Sequence, residues 1–73
     1  MDAQKRKTLG VAAKRIVNDI AFSEVISYLQ VSAYEEFLAS DPDRKEAREA
    51  IYLKVRALQD IRATLRNLAQ EAD

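Results

Sequence analysis

Glu35 and Glu36 stand side by side, and Asp41 and Asp43 flank the single proline, Pro42. In 73 residues without histidine or cysteine, these carboxylates are where acid–base or metal chemistry would have to reside. Neither pair has the geometry for it. Successive residues on a helix point about 100° apart, so Glu35 and Glu36 cannot converge on one proton. Asp41-Pro42-Asp43 opens like a calcium loop, but the glycine and later oxygen ligands of such a loop do not follow. Zinc and copper sites draw on imidazole and thiolate, which the chain lacks. A triad built on histidine cannot be assembled, and there is no glycine-rich phosphate loop. The chain therefore reads as non-catalytic, with no cofactor and no metal.

The cations are the second chemical resource. Lys5, Arg6 and Lys7, followed by Lys14 and Arg15, place positive charge at near-heptad spacing and are candidate phosphate contacts. Arg44, Lys45 and Arg48 form a second candidate group just after the proline. No aromatic residue interleaves the first cluster, so base stacking is not supported. Net charge is zero, without the positive excess of a nucleic-acid-binding domain. The charge is unevenly spread: residues 1–17 carry +4, residues 18–43 carry −6 and residues 44–73 carry +2. An acidic middle beside basic flanks suits an electrostatic fit within or between chains.

The elements that must hold these groups are helices. One glycine and one proline are too few for the corners of a β fold. The spacing predicts a short helix over 3–17, with residues 1–8 a basic start prone to fraying, and a longer helix over 20–39 capped by Asn18 or Asp19. A third is expected over 42–72, with Asp41 as N-cap, or Ser40 with Asp43 three residues on, and Pro42 in the first turn. Its stripe is Ala47, Ile51, Val55, Leu58, Ile61, Leu65 and Leu68, at steps of three and four. Gly10 reads as a weakness in the first helix, costing about 1 kcal/mol relative to alanine. A tight corner at Ser40–Pro42 makes the two long helices an antiparallel hairpin. Pairing then runs Phe37 with Ala47, Ala33 with Ile51, Leu29 with Val55, and Ile26 with Leu58, with Phe22 reaching Ile61 or Arg62.

The fold class is thus all-α, one domain over 1–73. The helix over 20–39 carries a second apolar set, Tyr28, Val31, Tyr34 and Leu38, which one partner helix cannot cover. With Tyr52 these are the candidate interface residues, and a homo-oligomer is expected to complete the core. The tyrosines could also wall a pocket between subunits. No apolar run reaches the roughly 18 residues of a membrane span. Lack of cysteine fits a cytoplasmic location.

The order "AAKRIVNDIAFSEVI", "AYEEFLASDPD" and "REAIYLKVRALQDIRATLRNL" resembles small helical-hairpin proteins of tailed bacteriophages and prophages. In "DRKEAREAIYLKVRAL" the matching charges are Glu46, Arg48 and Glu49, and Ile20 stands where the family has proline. The resemblance spans about residues 12–69. It implies a phage-encoded accessory, virion-associated or assembly protein, in the host cytoplasm or the virion, that binds an unidentified protein and runs no reaction. Two other functions stand as alternatives, the first by likeness to phage nucleotide sponges in size and helical content alone and the second from the N-terminal cations. One is an anti-defence protein that binds a host immune protein or sequesters a nucleotide signal between subunits. The other is nucleic-acid binding through the basic N-terminal segment.

Overall fold

A computed structural model describes residues 2–72. These form three helices and no strand: α1 (Ala3–Val17), α2 (Ile20–Ala39) and α3 (Lys45–Gln70). α1 and α2 begin and end where the sequence places them. Asp2 caps α1 by accepting the Lys5 N–H at 2.7 Å, and α1 takes in residues 3–8. Asp19 caps α2 by accepting from Phe22 N–H at 3.1 Å. The two helices are separate: Asp19 is extended, with φ −81° and ψ 120°.

α3 starts three residues later than Pro42, a correction to the expected first turn. The Asp41 carboxylate accepts the Asp43 N–H at 2.9 Å, and the Asp41 carbonyl accepts the Arg44 N–H at 2.9 Å. Asp41 and Pro42 thus occupy the first two positions of a β-turn, where both are favoured. The carboxylate expected to cap a helix is used up within the turn. Arg44, with φ −93° and ψ 73°, then becomes the N-cap and gives no side-chain bond.

From this corner α2 and α3 run back along one another. Arg48 lies over the Phe37 ring, its guanidinium carbon 4.1 Å from the centroid, and Lys54 pairs with Glu36 at 3.4 Å. Ile26, Ala33, Ile51 and Leu58, all expected at this seam, are buried.

The closest packing is elsewhere, between α1 and the second half of α3. A Cβ on Gly10 would lie 2.5 Å from the Leu68 carbonyl oxygen and 3.2 Å from the Ala72 nitrogen. Gly10 has an ordinary helical backbone, so close approach and not conformation selects glycine there. Ala13 and Ala69 are buried at the same contact. Small residues let these two backbones meet, whereas the larger Phe37, Tyr34 and Tyr52 line an open cleft between α2 and α3. α1 and α2 scarcely touch. α3 is therefore the spine, with α1 on one half and α2 on the other.

The result is a thin body. It extends 49 × 26 × 12 Å, and its short dimension is that of one helix with side chains. Its radius of gyration is 15.7 Å, against about 11 Å for a compact chain of this length. The buried apolar set is Ala13, Ile26, Ala33, Ile51, Leu58 and Ala69, half of it alanine.

Candidate functional site

The residues expected at an interface share one exposed region. Tyr28, Val31, Tyr34 and Leu38 follow one another along α2 at steps of three and four, and with Tyr52 are 55% to 70% exposed. Their spacing keeps them on one side of the helix, away from buried Ile26 and Ala33. Tyr34 and Tyr52, 18 positions apart in sequence, line the same cleft between α2 and α3. Its volume is about 440 Å³, and its other walls include Ala33, Phe37, Ile51 and Val55. Tyr28 and Val31 line a shallower depression with Ser23, Glu24 and Ser27. The face is apolar with polar edges, a composition suited to contact with another protein surface.

The candidate phosphate contacts do not form one site. Arg6 pairs with Glu71, and both line a cleft with Ala3, Lys7 and Ala72 at the free end of α3. Lys5 is exposed on the same first turn of α1, while Lys14 and Arg15 occupy its last turn. Arg44 and Lys45 are at the opposite end of α3, in a shallow depression with Asp43, Glu46 and Ala47. The 26 residues of α3 separate the two groups by about 39 Å. Arg48 is half-buried against Phe37, and its Nε–H has no acceptor.

Two arginines outside that set are brought to a junction of all three helices. Arg62 and Arg66, one turn apart on α3, line a cleft of about 160 Å³ with Val17 of α1 and with Phe22, Ser23 and Ser27 of α2. Arg62 is half-buried, in the inward place between Leu58 and Leu65 that the expected stripe gave to Ile61, which is exposed. Among the described residues neither arginine has a carboxylate partner. The periodicity placed both off the apolar stripe. The available signal was the expected pairing of Phe22 with position 62, which sets an arginine opposite a phenylalanine.

Among the described residues no three of His, Cys, Asp and Glu gather to hold a metal ion, and no helix is long and apolar enough to cross a membrane. Comparison with known proteins returns nothing to set beside these features: no family model matches the chain, and neither a curated protein nor a solved structure is significantly similar to it.

Proposed function

We propose that this chain is a non-catalytic helical module that associates with a second copy of itself and acts by binding protein. The phage resemblance of its sequence suggests an accessory, virion or assembly role. The observation that carries the self-association is the surface left open. The chain exposes 5801 Å², whereas a compact monomer of 8.3 kDa exposes about 4,600 Å². The excess, about 1,200 Å² per copy, falls in the range that obligate homodimers bury. Among the described residues thirteen large apolar side chains are exposed, including the α2 set and Tyr52.

Charge favours a second copy of the same chain as the occupant. α2 carries Glu24, Glu35 and Glu36 and no base, while α1 carries Lys5, Arg6, Lys7, Lys14 and Arg15 and no acid. Within one copy these helices scarcely touch; Arg6 is paired with Glu71 and Glu36 with Lys54, so the match across copies rests on Lys5, Lys7 and Arg15 of α1 and on Glu24 and Glu35 of α2. A two-fold arrangement that sets α2 of one copy towards α1 of the other would match them and cover the apolar face.

Light scattering at micromolar concentration tests the reading. The mass should be a multiple of 8.3 kDa, and Tyr34→Glu, a change at an exposed position, should reduce it to the single-chain value with helicity intact. A wild-type mass of one chain up to about 100 μM would end this reading.

A further inference from the structure

We infer that the junction cleft formed by Arg62, Arg66, Ser23 and Ser27 binds the phosphate group of a small phosphomonoester. Arginines four residues apart on a helix repel each other, and among the described residues no carboxylate pairs with either one, so only solvent and ions offset that repulsion. An anion from outside relieves it.

The donor inventory selects the anion. Two guanidinium forks and two hydroxyls can direct about six N–H and O–H donors into the cleft. A carboxylate offers two oxygens with about four lone-pair sites, whereas a phosphate monoester presents three terminal oxygens. Ser23 and Ser27 are themselves one turn apart on α2 and line the cleft together with Arg62 and Arg66 of α3. The carboxylates nearest the two serines in sequence are otherwise placed. Asp19 accepts the Phe22 N–H, and Glu24 lies in the neighbouring depression on the other side of the serines. Val17 and Phe22 complete the lining with apolar surface, so the ester's organic part should be apolar or aromatic. Ser23 and Ser27 also border the depression lined by Tyr28 and Val31.

Isothermal titration of the full chain with inorganic phosphate and with phenyl phosphate tests the assignment. Each should give a saturable signal at one site per chain, with phenyl phosphate at least about threefold tighter because of Val17 and Phe22. R66Q, at an exposed position, should weaken both at least tenfold while leaving the far-ultraviolet circular dichroism unchanged, and S27A should weaken both by a smaller factor. Absence of heat with either ligand, or an undiminished signal in R66Q, overturns the proposal. It is equally overturned if phenyl phosphate gives no heat and R66Q lowers the molar mass, since the arginines would then serve a contact between copies.

Discussion

Gly10 shows how a single position can reverse its meaning between chain and fold. Within an isolated helix, replacing it with alanine should stabilise by about 1 kcal/mol. Here the new methyl would meet the Leu68 carbonyl and the Ala72 nitrogen, both backbone atoms that cannot rotate aside. G10A is therefore expected to destabilise by about 1–3 kcal/mol in urea denaturation, the usual cost of overpacking. Arg48 carries the opposite expectation. Its buried Nε–H lacks an acceptor, costing about 1–3 kcal/mol, while its stacking on Phe37 returns about 0.5–1 kcal/mol. R48M keeps the apolar stem and removes the donor, so thermal unfolding should show unchanged or slightly higher stability. Ile26, Ile51 and Leu58 were legible because large apolar residues leave a period, and Ala33 because it falls on that period. Gly10 and Ala69 were not, because small residues reveal a close contact only when the facing backbone is known.

At the scale of elements, caps were the most readable signals. Asp19 interrupts the run from α1 with its extended backbone and accepts the Phe22 N–H in the first turn of α2, so it marks a break between two helices that apolar periodicity would merge. D19A should cost about 1 kcal/mol in chemical denaturation, in line with the loss of other N-caps. The start of α3 was less readable, because proline suits both the first turn of a helix and the second position of a β-turn. The competition is settled by Asp41, whose carboxylate reaches Asp43 two residues on. The relative importance of the helix pairs was also hidden. A short connection announces that α2 and α3 are neighbours, but only side-chain bulk at the seam reveals that α1 and α3 are the closer pair.

For the whole molecule, thinness is the governing property. A body 12 Å deep has no interior to enclose, and its broad faces retain apolar groups that a thicker fold would cover. If a second copy covers them, folding and association are linked by mass action. The midpoint of thermal unfolding should then rise with protein concentration between about 1 and 100 μM, while that of Tyr34→Glu should not. Because the matching of α1 with α2 across copies is electrostatic, raising NaCl from about 50 to 500 mM should weaken association without reducing the helicity of the associated form. The sequence announced a deficit of core through its double-faced second helix. It did not announce the Arg62–Arg66 junction, because that cleft exists only where three separate segments meet.

The ion pair between Arg6 and Glu71 joins positions 65 apart along the chain, so the tightest seam is also the most remote in sequence. Its formation must wait for the largest loop to close, which makes α1–α3 docking the natural slow step of folding. The same geometry offers a way round it. Ala3 and Ala72 line one cleft, so a short linker could join the two ends while the backbone is opened at the exposed corner between Asp41 and Pro42. In the order α3, α1, α2 the close seam becomes a local hairpin. Such a circular permutant should reach the same helical state in stopped-flow refolding, and reach it faster than the natural order does.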